Sequence, residues 1–397
     1  MRRLRRVLLI HPEGNTYNNP TLKCIVDLLL DKGVHVDIRY QKSELVLSEV
    51  SGLTLLPFSL TYARIKNLIF NRICSKWLSW VSVQLERIFI YKNYDLIIGV
   101  DRLGLIEAAF LYQSTKTPYV FFSFEIMFEI ETSKSYKLLE RGASKYVTHW
   151  VVQDELRASK LEVENELGHV PCSLIPLASS ATGMVTNSSL RDRLRIPKNK
   201  KVALIMGSIS NWSMTGDIIK SVLTWDEEWV LIVHERYGNT EAALSSIGVD
   251  VAEINHDKVF FSSDAPEKVD DMGCILSGVS AGFAFYKPDY SGIYTGRNLK
   301  YLGLASGKIS TFLRYGIPIV MNEIGLYAEM AKRYHFGVVA TNMAQIAGKL
   351  RLLDQKTYGA HAIDFYNSTL DFDRYKKDVW EMFVRAAKGH RSSDKIS

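Results

Sequence analysis

The sequence predicts an α/β protein made of two doubly wound parallel-sheet domains. Three observations carry that expectation. Short apolar runs, mostly unbroken, alternate with longer stretches of helical period, as they do when strands are buried on both faces by crossover helices. The alternation stops once, in a polar stretch at 178–201, and starts afresh after it. The chain has 397 residues, enough for two or three domains.

The elements follow in order. In the first half, residues 7–10, 35–39, 96–100, 119–122, 149–152 and 173–175 read as strands, with helical periodicity at 21–32, 105–114 and 155–166. The break contains Ser179-Ser180, Asn187-Ser188-Ser189 and Pro197-Lys198-Asn199-Lys200-Lys201. Beyond it, residues 202–206, 229–233, 258–261, 281–285, 318–321 and 338–340 read as strands, and 215–224, 241–247, 309–315, 325–334 and 343–353 as helices. The expected organisation is an N-terminal domain at 1–180, a linker at 181–200, a second domain at 201–372, and a C-terminal helix and tail at 373–397. That last element can pack on either domain, a return to the first included. Ligands of such sheets bind beyond the carboxyl ends of the strands. Loop residues just after strands are therefore the candidates for function.

Composition narrows the class. Apolar residues make up 47% and charged residues 23%, which excludes a disordered or fibrous chain. Cys24, Cys74, Cys172 and Cys274 have no CxxC spacing, so neither a disulfide framework nor a structural zinc site is expected. The apolar run at 7–10 is too short for a signal peptide, and no stretch reaches the length of a membrane span. A cytoplasmic protein is expected. The net charge of +6 is concentrated in two places. Arg2, Arg3, Arg5 and Arg6 open the chain. Arg64, Lys66, Arg72, Lys76, Arg87 and Lys92 stand against the single acid Glu86. The second stretch also carries Phe70, Trp77, Trp80, Phe89 and Tyr91, with Leu68, Ile69, Ile73, Trp77, Trp80 and Val81 near helical spacing. Basic aromatic helices of this kind lie on anionic membrane surfaces. The competing reading is a core helix with a solvated basic face. Nucleic acid is not an expected partner, because no recognition motif accompanies the charge.

Residues 303–321 are the most specific stretch. Ser306 and Gly307 suit a helix N-terminus, where free N–H groups and the helix dipole favour an anion. Lys308 in the first turn is unfavourable for the helix alone and sensible beside a phosphate. Gly316 and Pro318 end the helix. The spacing is not that of a Walker A loop.

This segment, with Ser306-Gly307-Lys308, Phe312 and Gly316-Ile317-Pro318-Ile319-Val320, resembles the sugar-nucleotide-binding segment of GT-B glycosyltransferases. The resemblance extends to residues 202–209, containing Gly207 and Ser208, and to 258–263 and 281–286. In the first half it extends to 95–101, 119–125 and 151–155. Gly303 and Thr311 occupy positions where the family-4-like members carry two glutamates. The resemblance implies a GT-B fold, with two Rossmann-like domains facing a cleft. It implies a nucleotide-diphosphate sugar as donor substrate, no separate cofactor, and a glycan or lipid-linked acceptor. It also suggests surface polysaccharide or lipopolysaccharide synthesis at the inner face of the cell membrane. A sugar-nucleotide epimerase of the same fold is the alternative, although the Gly-Thr-Arg-Pro-Glu run of those enzymes has no counterpart here. A non-catalytic GT-B binding module is the other.

Candidate roles follow from chemistry. A departing nucleoside diphosphate gains negative charge, which cations and helix N-termini stabilise. Lys308 with the Ser306 and Gly307 amides comes first, then Arg297 with Gly292 in the preceding loop, and Gly207 and Ser208 after the first strand of the second domain. An acceptor hydroxyl calls for a base. Glu125 and Asp101, each at the end of an apolar strand, are the catalytic candidates. Asp101 as a helix cap, or paired with Arg102, is the bland alternative. His11 and Gly14 follow the first strand on the acceptor side. No metal site is expected. The Asp371-Phe372-Asp373 triplet lies outside any sugar-nucleotide pattern and reads as the start of the last helix.

Overall fold

The computed structural model describes residues 4–14, 16–41, 50–69, 75–89, 91–184, 189–235, 238–263 and 271–388. Arg2, Arg3, Phe70, Arg72 and Ile73 of the basic segments lie outside them. The chain divides into two compact units, Met1–Pro176 with Phe372–Ser397, and Leu177–Asp371.

The first unit runs β1 (Arg6–His11), α1 (Pro20–Asp31), β2 (His35–Gln41), β3 (Leu53–Phe58), α2 (Leu60–Asn67), α3 (Lys76–Phe89), β4 (Leu96–Val100), α4 (Asp101–Thr115), β5 (Tyr119–Phe122), α5 (Lys134–Ser144), β6 (His149–Val152), α6 (Glu155–Asn165) and β7 (Cys172–Leu174). Its strands form one parallel sheet in the order β3-β2-β1-β4-β5-β6-β7. The chain winds outward in both directions from the β1/β4 junction, which is the topological switch point of such a sheet. Val7 to Ile10 are fully buried, and truncating any one to alanine costs about 2–5 kcal/mol. The start of α4 lies hard against this junction. A Cβ at Gly104 would stand 2.4 Å from the Ile10 carbonyl oxygen, so only glycine permits the approach.

β3 is absent from the strands expected above. Its Leu-Thr-Leu-Leu-Pro-Phe sequence carries Pro57, which sheets accept only at an edge, and β3 is the edge strand.

Helix α3 is turned inside out. Ser79, Val83 and Glu86 are buried, whereas Trp77, Leu85 and Ile88 are exposed. The buried side is stabilised by charge pairing. Glu86 meets Arg39 at 3.0 Å and Lys66 at 2.9 Å, and Lys66 reaches Glu107 at 2.7 Å. Tyr62 and Tyr91 donate to the Glu86 carboxylate. Burial alone would raise the Glu86 carboxyl, but Lys66 and Arg39 outweigh it and hold it near 2. Lys66 thus departs from the expectation that the basic residues of this stretch face outward. It is 3% exposed and belongs to the interior.

The second unit runs α7 (Leu190–Arg193), β8 (Lys201–Met206), α8 (Thr215–Ser221), β9 (Trp229–His234), α9 (Thr240–Ser246), β10 (Val259–Ser262), α10 (Gly273–Leu276), β11 (Ala281–Ala284), α11 (Arg297–Lys300), α12 (Gly307–Arg314), β12 (Ile319–Asn322), α13 (Gly325–Tyr334), β13 (Gly337–Ala340), α14 (Ile346–Arg351) and α15 (Gln355–Phe365). Its parallel sheet has the order β10-β9-β8-β11-β12-β13, so its switch point lies between β8 and β11. Alternate residues enter separate cores. Val202, Leu204 and Met206 join the one containing Ile309 and Phe312, and Ala203 and Ile205 join the other. Both faces of the sheet are therefore covered. Residues at strand ends are what remain for a ligand.

The chain ends with α16 (Lys376–Ala386), which returns to the first unit. Phe383 packs against Phe122 of β5 with ring centroids 6.1 Å apart. Asp371 accepts from the Ala181 N–H at 3.0 Å, and Asp373 pairs with Lys376 at 2.6 Å.

Candidate functional site

The switch point of the second unit collects most of the donor-side candidates. Gly207 follows β8 with φ 103°, a left-handed value that favours glycine. Its N–H donates to the His234 carbonyl at 3.1 Å. The loop then folds over Ser213, whose hydroxyl donates to the Ser208 carbonyl at 3.0 Å and sits 2.8 Å from Thr215 Oγ1. This turn presents Trp212. Its ring stacks on Tyr286 at 6.2 Å and 12°, and its carbonyl accepts from the Lys287 N–H at 2.8 Å. Tyr286 lies just past β11. Asn322, at the end of β12, clasps its backbone from both sides, accepting from its N–H at 3.0 Å and donating to its carbonyl at 2.7 Å.

Lys308 stands beside these rings, its ammonium 5.4 Å from the Tyr286 centroid and 6.0 Å from that of Trp212. A Cβ on Gly207 would lie 3.7 Å from Lys308 Cε, so the strand-end glycine and the helix-start lysine adjoin. Burial pulls the Lys308 ammonium down from 10.5 to about 8. The described residues offer it no carboxylate. A half-buried cation beside two aromatic faces, with no carboxylate among the described residues, is a charge short of its partner.

Ser306 caps α12, accepting from the Ile309 N–H at 3.2 Å. The Tyr286 hydroxyl lies 2.5 Å from the Ser306 hydroxyl, so the same tyrosine that faces the lysine also fixes the cap. The cap uses the Ile309 amide. The Gly307 and Lys308 amides have no acceptor among the described residues and point along a helix dipole that favours an anion. A cationic side chain, two open amides and two aromatic faces converge. That set can hold a phosphate and stack a ring.

Arg297 opens α11 and is half-buried. Gly292 is exposed in the loop before it, where the Asp289 N–H donates to the Thr295 carbonyl at 2.7 Å. A Cβ on Gly292 would come within 2.8 Å of Thr295 Oγ1. Trp212, Tyr286 and Asn322 were not among the sequence candidates, although each stands at a strand end or in the loop that follows one. The available signal was an aromatic or amide residue leaving an apolar run.

The acceptor-side candidates gather at the switch point of the first unit. Asp101 has φ 52° and begins α4. Its Oδ1 accepts from the Phe124 N–H at 2.7 Å and the Glu125 N–H at 2.9 Å. It therefore neither caps its own helix nor pairs with Arg102. It ties the start of α4 to the loop after β5. Burial, then Glu125 and Glu13, raise its carboxyl well above the ordinary range. His11 Nε2 lies 3.8 Å from Asp101 Oδ2. Burial lowers the His11 imidazole to about 4. The two shifts each favour the uncharged form of the group. A Cβ on Gly14 would reach within 2.8 Å of His11 Nε2, so Gly14 makes room for that ring. Arg102 turns instead to Glu13, at 3.2 Å, and lies over the Tyr136 ring at 4.6 Å. Glu125 is half-buried above the Asp101 carboxylate.

Searches against family models and against curated protein sequences find no match. Solved structures do match over nearly the whole chain. Sucrose-phosphate synthase from Thermosynechococcus elongatus has a TM-score of 0.68 at 11% identity, covering 96% of this chain and 98% of its own. The Anabaena protein HepE in complex with UDP-glucose has 0.66 at 12%, covering 95% and 98%. WaaG, a glycosyltransferase involved in lipopolysaccharide biosynthesis, has 0.62 at 14%, covering 95% and 99%. With its two parallel-sheet α/β units, this chain has the GT-B fold.

Proposed function

We propose that the protein is a glycosyltransferase that moves a sugar from a nucleotide-diphosphate donor to a glycan or lipid-linked acceptor. The observation that carries this reading is Lys308, a half-buried cation without a carboxylate partner among the described residues, beside the open amides of α12 and next to Tyr286 and Trp212. The fold supports it, since HepE of the same fold was solved with UDP and with UDP-glucose.

In this reading the diphosphate lies at the start of α12. Lys308 and the Gly307 and Lys308 amides stabilise the charge that builds on the leaving oxygen as the glycosidic bond breaks. They are held in place before reaction, by the Tyr286–Ser306 contact and the Asn322 clasp. Gly207 leaves open space beside the Lys308 side chain. On the acceptor side, Glu125 is the half-exposed carboxylate placed to take a hydroxyl proton in this reading. Asp101 holds the loop that bears it. The acceptor class we assign is that of surface polysaccharide or lipopolysaccharide synthesis, at the inner face of a membrane.

The test is calorimetric titration with nucleoside diphosphates and nucleotide sugars, UDP and UDP-glucose first. Saturable binding of at least one, followed by sugar transfer or slow hydrolysis of the matching donor, is the expected result. Refusal of every nucleotide would remove the enzyme reading.

A further inference from the structure

Helix α3 exposes its apolar side. Trp77, Val81, Leu85 and Ile88 follow one another at helical spacing, and all but the half-buried Val81 are exposed, with Trp77 68% and Ile88 64% accessible. Trp80 borders the same face, and Ile65 and Leu68, in and just beyond α2, add two more exposed aliphatics. The orientation is fixed from below. Glu86 on the opposite side of the helix is locked to Arg39 and Lys66, so α3 cannot roll its apolar side inward without burying the wrong face and exposing that cluster. The apolar surface also continues past Lys76, at the start of α3. There a groove of about 400 Å³ is lined by Ile106, Phe110, Leu138, Leu139 and Tyr146, of which Leu138 and Tyr146 are exposed.

The charges around this face have one sign. Arg64, Lys76 and Lys92 are exposed, and none has a carboxylate partner among the described residues. The single acid between 60 and 92 is Glu86, which is buried. A second copy of the chain would bring like charges together across this face. An anionic bilayer complements it, with tryptophans at the headgroup level, aliphatics below and cations at the rim. Among the described residues no helix is long and apolar enough to cross a membrane, so the helix lies on the surface.

We infer that the exposed face of α2 and α3 docks on an anionic lipid bilayer, with α3 lying in its interface. This deepens the acceptor side of the proposed function and rests on that reading for its purpose, although its geometry stands on the first unit alone.

The experiment is vesicle flotation of the full chain, comparing phosphatidylglycerol with phosphatidylcholine vesicles, with UDP affinity measured in solution on every variant. The wild type is expected to float with the anionic vesicles. Trp77→Ala with Ile88→Ala should abolish flotation. Arg64→Gln with Lys76→Gln should weaken it roughly thirtyfold, from the contribution of two surface cations. Leu223→Ala, which removes an exposed leucine of the second unit, should change nothing. Equal flotation with both lipids, flotation untouched by the Trp77/Ile88 change, or a dimer that the change dissolves would each overturn the inference. Loss of flotation with UDP binding retained locates the effect on the docking face. Flotation without any nucleotide binding would leave the bilayer face standing and remove the donor reading.

Discussion

The ammonium of Lys308 lies 5.4 Å from the centre of the Tyr286 ring, while the hydroxyl of the same tyrosine lies 2.5 Å from the Ser306 hydroxyl that caps the lysine's own helix. One side chain thus fixes both the cation and the helix N-terminus. The two meet at the switch point of the second sheet, where a doubly wound fold leaves room for a ligand.

The lowered Lys308 pKa gives a pH dependence. Below about 8 the ammonium is charged and attracts a diphosphate; above it the free protein carries a neutral amine. UDP affinity should therefore fall as pH rises through about 8, by up to tenfold per unit until the lysine of the complex also titrates. Lys308→Arg should flatten that decline, because arginine stays charged. Titrations from pH 6.5 to 9.5 check this. A wild-type affinity constant up to pH 9.5 would count against Lys308 as the phosphate contact.

The Tyr286–Ser306 contact should show in both stability and binding. Ser306→Ala removes the cap of α12 and should cost about 1 kcal/mol, lowering Tm by about 2–4 °C. It should also weaken UDP binding, because the open amides lose their orientation. Tyr286→Phe keeps the ring beside Lys308 and should cause the smaller loss of affinity. Thermal melts with and without UDP give both quantities.

Asp101 and Glu125 should separate cleanly. Glu125→Gln should reduce turnover at least a hundredfold while leaving UDP affinity within error. Asp101→Ala leaves one buried and one part-buried N–H group without an acceptor and should cost about 2–4 kcal/mol. Asp101→Asn keeps an acceptor oxygen and cannot ionise. Because the folded state raises this carboxyl, its stability contribution is complete below the unfolded value and is lost as pH rises through the folded one. Asp101→Asn should therefore be at least as stable as wild type at pH 8 and show a smaller decline between pH 4 and pH 8. Melting curves across that range decide it.

The interior cluster under α3 gives the opposite dependence. Glu86 is held near 2 against an ordinary 4.5, so its contribution is present above about 4.5 and is lost as pH falls through about 2. Glu86→Ala leaves Lys66 and Arg39 short of their shared partner and should destabilise the first unit by about 3–5 kcal/mol. Trp77→Ala on the other side of the same helix should change stability by about 0.5 kcal/mol or less. A similar cost for both would mean that α3 is not inverted.

The sheets were readable in the sequence because runs such as Val7-Leu8-Leu9-Ile10 are buried on both faces and need no polar alternation. Helices whose buried side is charged were not. α5 buries Lys137 against Glu140 at 3.2 Å, with Asn165 accepting from its ammonium at 2.7 Å, and no apolar periodicity announces such a helix. Residues 60–92 read as a basic aromatic helix, but their composition could not say that Lys66 turns inward and Trp77 outward. That choice depends on Arg39 and Glu107, which lie on other elements. At the candidate site, Ser306-Gly307-Lys308 was visible as a helix start. Trp212 and Asn322 acquire a role only once β8, β11 and β12 are neighbours.

The most direct measurement is the UDP affinity of wild type against Lys308→Ala, by calorimetry at pH 7. The account expects a tenfold to hundredfold loss, the range of a hydrogen bond to a charged group, with Tm unchanged or raised because a desolvated cation has been removed. Equal affinities in the two proteins would contradict it and remove the start of α12 as the diphosphate site.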